Sequence, residues 1–487
     1  PMSKNKVLFY SIKRIGLYLL LACFSMSSTS EEEYLPELGD TSSSAISLAS
    51  EYELGRLWIA QLRRSTPELN DPIAQDYLEH LIYRLSEYSQ LQDKRLEIVL
   101  IDQKNINAFA APGGIIGVAA GLIFHAETEG QLVSVLSHEL AHLSQRHFAR
   151  RIQRQEDRGL ANALIILASI AVAAASTPEA ALAGQQVLAQ QALSYSRSNE
   201  QEADRIGFLN LVSAGYNPQS MPRMFEKLQS LNRMSGSTEL EFLRSHPLTK
   251  KRISDSKIRA NEIKGSNYKD SLEYHLVRTR TLVHFSKLPR QAVALLKQNL
   301  RKAKTEREKI IAGYGLALAL SKDNKHGDAL EMARKNLNLD PENLMLQTAL
   351  LEVHINARNN LEATALGKQL LEINPNNYPL SMLYARALLN QSDFEKSEEI
   401  LKKLSLRRKS DPQVWYWLAE VQGLSKNILG LHQSRSEYFY VTGNYNQAIQ
   451  HLRYALELAG NNFQLNESLR TKIENIHLTV EALKELT

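Results

Sequence analysis

His138-Glu139-Leu140-Ala141-His142 puts two imidazoles and a carboxylate within five residues. On an α-helix, side chains four apart lie one above the other on a single face. His138 and His142 can therefore aim two nitrogens at one cation, as an H-E-x-x-H pattern requires. Glu139 projects from the adjoining edge, where it can take a proton from a water held by that cation, the chemistry of a zinc hydrolase. Two His and one Glu on an otherwise apolar helix would be costly to bury without a metal. The lead-in from Gln131 to Ser137 contains neither Gly nor Pro, so the motif is expected on a helix.

Catalytic zinc takes three protein ligands and keeps one position open. His147 follows nine residues after His138, about half a turn out of phase on a continuous helix. The Gly and later His of a metzincin are replaced by Gln145 and Phe148. His147 is therefore expected at the surface or the edge of the core. Glu200 and Asp204 share a helical face. They offer one carboxylate for the metal and a second, one turn on, to orient a ligand imidazole through its free N–H. An E-x-x-x-D taken alone is usually a solvated face; following H-E-x-x-H it reads as a ligand pair. Glu202 points roughly the opposite way and reads as solvated.

His138-Glu139-x-x-His142 followed by Glu200-x-x-x-Asp204 resembles the gluzincins of the CAAX-prenyl-protease and HtpX type. Asn107 to Gly114 is similar to the strand and turn that precede the active-site helix in that family. Asn199 to Asp204 is similar to its third-ligand helix. His246-Pro247-Leu248, with Arg252 six residues after the His, is similar to the segment that closes the site. The resemblance implies that His246 approaches the zinc, either as a fourth ligand or as a donor to the tetrahedral intermediate. A fourth protein ligand would displace the water that the reaction needs and leave a latent enzyme. The other reading of His246 is a loop cap before Pro247. Arg252 either stabilises the developing oxyanion or pairs with an acid at the surface. The expected centre is thus one Zn2+ on His138, His142 and Glu200, with Asp204 behind them and Glu139, His246 and Arg252 as the catalytic set.

The elements that must position these residues are legible in outline. From Ile46 to about Arg63 apolar residues recur at helical spacing. Leu96–Ile101 and Asn105–Ala111 read as strands, and Pro112-Gly113-Gly114 turns into a third run, Ile115–Val118. An exposed edge of that small sheet could receive an extended substrate by main-chain pairing. Ala163–Ala175 is apolar for thirteen residues, short of the roughly twenty that span a bilayer. It is expected to be a buried helix or a lid over the site.

After about Glu262 the sequence reads as helices only. Leu337–Asn343 and Leu371–Asn377 are similar and lie 34 residues apart, with Ala329 and Ala363 each twelve residues before a Pro. That period is the tetratricopeptide signature. Gly443–Ala448 with Ala455 supplies a further copy, and Ala292 and Pro412 mark weaker units. Uneven spacing between Pro412 and Ala448 implies an insertion near Gly423–Gly430. Stacked repeats form a curved solenoid that binds protein.

The expected fold is mainly α: an α+β zinc peptidase domain followed by an α-helical repeat solenoid. Its boundaries are expected as a signal peptide over 1–27, a linker over 28–45, the zinc metallopeptidase domain over 46–262 and the repeats over 263–487. Lys4, Lys6, Lys13 and Arg14, then apolar Ile15–Phe24, then small residues, follow the order of a secretory signal. The one cysteine, Cys23, lies in that leader, so neither disulfides nor thiolate ligands are expected. Lipidation at Cys23 is the lesser alternative. Net charge is +5 over 487 residues, which gives no reason to expect nucleic acid. Association with a membrane is expected to be peripheral at most.

With the repeats added, the chain resembles the periplasmic β-barrel assembly-enhancing proteases. That resemblance implies stalled or unfolded outer-membrane proteins as clients, chaperone activity, and the β-barrel assembly machinery as a partner of the repeats. A largely latent chaperone or adaptor working through the repeats is the alternative. An intramembrane CAAX-type protease is disfavoured because the necessary membrane helices are missing from the sequence.

Overall fold

A computed structural model describes residues 47–154, 196–234, 240–263, 265 and 269–485. The expected signal, the whole expected linker and the apolar Ala163–Ala175 stretch lie outside the described residues. Ser47 opens helix α1 (Leu48–Ser65) by accepting a hydrogen bond from Ser50 N–H. Asp71 opens α2 (Pro72–Ser86), where Pro72 occupies the first turn and costs no hydrogen bond.

Three strands follow: β1 (Glu97–Ile101), β2 (Ala108–Ala111) and β3 (Ile115–Ala119). Their order is β1-β3-β2; β1 pairs parallel with β3, and β2 pairs antiparallel with it. Gly113 and Gly114, at φ +75° and +76°, make the β2–β3 turn in a region that a side chain would strain. All four residues of β2 are buried. The strand at the outer edge is therefore covered rather than exposed.

Helix α3 (Ala120–His125) leads to α4 (Glu129–Ser144), which carries the H-E-x-x-H motif and is buried from Glu129 to His142. Arg146, at φ +48°, breaks the chain from α4 before α5 (His147–Arg154) begins. Then come α6 (Arg197–Ser213), α7 (Ser220–Met234), the single turn α8 (Glu241–Ser245) and α9 (Lys250–Glu262). Helix α6 lies tight against α4. A Cβ added to Gly207 would sit 2.9 Å from the backbone N of His138, and Ala141, Ala203 and Ile206 fill the rest of the seam.

The remaining described elements are all helices. Helices α10 (Leu272–Phe285), α11 (Pro289–Lys302), α12 (Glu306–Lys322) and α13 (His326–Leu337) are followed by α14 (Leu344–Asn356) and α15 (Asn360–Ile373). Next are α16 (Tyr378–Asn390), α17 (Phe394–Arg407), α18 (Pro412–Leu424), α19 (Ile428–Val441), α20 (Tyr445–Leu458) and α21 (Phe463–Glu485). The insertion expected near Gly423–Gly430 is a correction: that stretch is the end of α18 and the start of a regular helix, α19. One additional helix explains why Ala448 falls out of phase with Ala329 and Ala363.

The repeats close around α2. Ile73 packs with Leu351, Ile355, Leu380 and Leu383. Arg408 donates to both oxygens of Glu79 at 2.8 and 2.6 Å. The buried Arg280 of α10 donates to Asp71 at 2.7 Å, Glu352 at 2.9 Å and Tyr314 at 3.0 Å. Among the described residues no helix is long and apolar enough to cross a membrane.

Candidate metal centre

Thr128 caps α4 through Gln131 N–H, and one face of the helix carries His138 above His142. Their Nε2 atoms lie 3.0 Å apart. Ser196 caps α6 through Asn199 N–H, which sets Glu200 in the first turn, facing both rings. Glu200 Oε2 is 3.5 Å from His138 Nε2, and Oε1 is 3.4 Å from His142 Nε2. His246 ends α8; its N–H donates to Phe242 O at 2.9 Å and its ring stacks on Phe242 with centroids 4.7 Å apart. Its Nδ1 reaches Glu200 Oε1 at 3.0 Å and His138 Nε2 at 3.3 Å.

One donor atom from each of His138, His142, Glu200 and His246 lies within 4.8 Å of the other three, and all four residues are buried. Converging lone pairs repel unless a proton or cation sits among them. Three imidazole nitrogens and a carboxylate oxygen form a donor set that suits a borderline-soft divalent ion. The cluster can therefore hold a metal.

Two more carboxylates surround it. Asp204, one turn beyond Glu200, lies 3.0 Å from His138 Nδ1. Glu139 is fully buried, and the His246 Nε2 is 3.4 Å from its Oε1. Burial raises the Glu139 carboxyl above its ordinary value, while His246 and His138 pull the other way. Burial likewise opposes ionising Asp204, yet Arg252 and His138 hold it below the usual aspartate range. Burial, opposed by Glu200, keeps His142 well below the ordinary imidazole value and so neutral, the form that offers a lone pair.

Arg252 is placed by α9, whose cap Thr249 accepts from Arg252 N–H at 3.2 Å. Its guanidinium is buried, not paired at the surface. Nε and Nη2 donate to the two oxygens of Asp204 at 2.6 and 2.7 Å, and Nη1 meets Glu200 Oε2 at 2.7 Å and Pro247 O at 2.9 Å. These donors point at carboxylates and a carbonyl of the protein itself.

Two sequence readings need correction. His147 is neither at the surface nor at a core edge but fully buried, with Nδ1 2.8 Å from His142 Nδ1. The helix is not continuous: the left-handed Arg146 re-aims the chain, so phase counted from His138 no longer applies. Glu202 is not merely solvated. Its Oε2 accepts from His147 Nε2 at 3.0 Å and from Arg150 Nη2 at 3.1 Å. No Gly or Pro marks the break, so the sequence carried no local signal for it.

Residues 72–260 match peptidase family M48, and residues 357–421 match a tetratricopeptide repeat family. A beta-barrel assembly-enhancing protease from Yersinia pestis is 30% identical over 427 residues, 86% of this chain and 86% of its own length. One from Escherichia coli O157:H7 is 29% identical over 456 residues, covering 92% of this chain and 93% of the relative. A mitochondrial metalloendopeptidase of Arabidopsis thaliana is 30% identical over 164 residues, 34% of this chain and 31% of its own. Similarity that runs through both the H-E-x-x-H half and the helical repeats, at this identity, means that the chain belongs to the beta-barrel assembly-enhancing protease family, M48 metallopeptidases that carry tetratricopeptide repeats.

Proposed function

We propose that this metallopeptidase is an exported zinc endopeptidase that acts on stalled or unfolded outer-membrane β-barrel proteins and assists their assembly. The reading gives residues 1–27 to a periplasm-directing signal, 28–45 to a linker, 46–262 to the peptidase and 263–487 to repeats that dock clients or the assembly machinery. The observation that carries it is the convergence of His138, His142, Glu200 and His246 on one point, with Glu139 buried beside them.

In this reading His138, His142 and Glu200 hold the zinc. When bound, zinc supplies a Lewis acid that polarises the scissile carbonyl and acidifies water near neutral pH. Glu139, whose carboxyl burial raises above its ordinary value, accepts the proton of the attacking water and returns it to the departing amine. Asp204 fixes His138 through Nδ1–H, and Arg252 holds Asp204 and Glu200 in place. That assignment moves Arg252 from oxyanion donor to support, because its N–H groups already face Asp204, Glu200 and Pro247 O. His246 in the fourth position takes the place that water needs, so we read the arrangement as latent. A purely adaptor role leaves the four converging donors without a purpose.

The test is proteolysis of an unfolded polypeptide by the zinc-loaded chain. His246→Ala should increase self-cleavage, and Glu139→Gln should retain zinc while losing cleavage by at least a hundredfold, the lower range for a general base. Cleavage by a His246→Ala/Glu139→Gln protein at the rate of His246→Ala alone would refute the mechanism. Proteins retained on exported Glu139→Gln would identify the clients.

A further inference from the structure

We infer that His147, Glu202 and Arg150 form a positioning chain that fixes His142 in the tautomer able to bind metal, a role that the H-E-x-x-H motif does not contain. The inference rests on the reading of the cluster as a metal centre. His142 turns Nε2 toward the other donors, 3.0 Å from His138 Nε2 and 3.4 Å from Glu200 Oε1. A neutral imidazole has one N–H and one lone pair. If Nε2 is to offer the lone pair, Nδ1 must carry the proton.

His147 is placed to receive that proton. His147 Nδ1 lies 2.8 Å from His142 Nδ1, so His147 accepts there and carries its own hydrogen on Nε2. His147 Nε2 then donates to Glu202 Oε2 at 3.0 Å. Arg150 Nη2 donates to the same oxygen at 3.1 Å and balances its charge. Each link specifies the tautomer of the next, ending on a carboxylate. Ligand imidazoles ordinarily give their second N–H to such a partner, which sets the ring orientation and raises its basicity.

The two helical ligands are thus served by parallel arrangements of different length. His138 meets a carboxylate directly at Asp204, which Arg252 grips. His142 meets one through an interposed histidine, and Arg150 takes the part of Arg252. The fold makes room for the longer version by turning at Arg146. That turn starts α5 with His147 aimed inward and puts Arg150, one helical turn later, on the same face. Arg146 itself is anchored to the buried Glu51 of α1, Nε donating to Oε1 at 3.0 Å.

Equilibrium zinc affinity, measured on the full chain by competition with a fluorescent chelator, tests the inference without relying on activity. His147→Leu should weaken zinc binding by about 10–100-fold, the usual cost of losing such a partner. In His147→Asn the amide oxygen falls where Nδ1 was, so most of that affinity should return. Glu202→Ala alters a partly exposed side chain and should fold normally while losing about tenfold. Circular dichroism and the melting of the metal-free proteins serve as controls. Wild-type affinity in both His147→Leu and Glu202→Ala would overturn the chain alone. Failure of Asn to exceed Leu, with both folded, would also overturn it. A wild-type chain that takes up no zinc would overturn the metal-centre reading and this inference with it.

Discussion

Replacing Gly207 with Ala tests whether the α4–α6 seam sets the geometry of the metal centre. The added methyl would lie 2.9 Å from His138 N and 3.0 Å from both His138 Cα and Ser137 C. Comfortable carbon contacts lie at about 3.5–4.0 Å, so α6 must retreat by roughly 0.5–1 Å. Glu200 sits seven residues earlier on α6, about two turns away on the same face, and must move with it. Metal–ligand distances tolerate about 0.2 Å, so the retreat should weaken zinc binding by about tenfold or more, near 1.4 kcal/mol.

Stability should respond differently. Ala gains about 1 kcal/mol over Gly in a helix, against about 1–3 kcal/mol for overpacking. The metal-free protein should therefore lose at most about 2 kcal/mol, while zinc affinity drops disproportionately. Gly327, on α13 with nothing within 4 Å of a built Cβ, is the control; Gly327→Ala should leave zinc binding alone. Chelator competition and urea unfolding of the metal-free proteins give the two numbers. Wild-type zinc affinity in Gly207→Ala would show that the seam does not position Glu200, and the reasoning would fail.

Stripping the metal with a chelator should lower the melting temperature, since saturation at about 1,000 times Kd stabilises by about 4 kcal/mol; a Glu200→Gln protein should show little of that shift. Imidazole ligands bind as neutral rings. Burial works against protonating His138, but Asp204 and Glu200 together raise it to about 10, so zinc must displace a proton there and its affinity should decline steadily as pH falls from 8 to 5; pH-independent affinity over that range would contradict the His ligands. Arg280→Met should destabilise the chain by about 3 kcal/mol, the lower end for a broken buried pair, because Asp71 and Glu352 keep some access to water at 15% and 19% exposure. An unchanged urea midpoint would show that this ion pair holds nothing together.

The motif on α4 and the face shared by Glu200 and Asp204 were legible because helical periodicity alone decides them. The three strands were legible from their apolar runs and the Gly113-Gly114 turn, though Asn105–Asn107 stayed outside β2. Arg146 defeated the reading. Its left-handed conformation is accompanied by an ion pair to Glu51, 95 residues away, and nothing near it in sequence signals a break. His147 and its partner Glu202 were misplaced with it.

The insertion expected near Gly423–Gly430 failed for a different reason. Gly423 and Gly430 look like loop residues, but a Cβ at Gly430 would meet Gln422 and Asn427 at 2.7 and 2.6 Å. Glycine there admits close helix approach and does not mark a turn. Arg252 was assigned from its distance to His246, and its bidentate grip on Asp204 depends on the packing of α9 against α6, which no local pattern reveals.

Arg280 touches the N-cap of α2 and two helices of the solenoid in one fork. A pivot between the peptidase half and the repeats would have to tear that fork open and strip apolar cover from Ile73 as well. On the proposed function, a client held by the solenoid would be delivered along one fixed bearing, so its own stretch of chain, not a swinging arm, would have to bridge the gap to the metal.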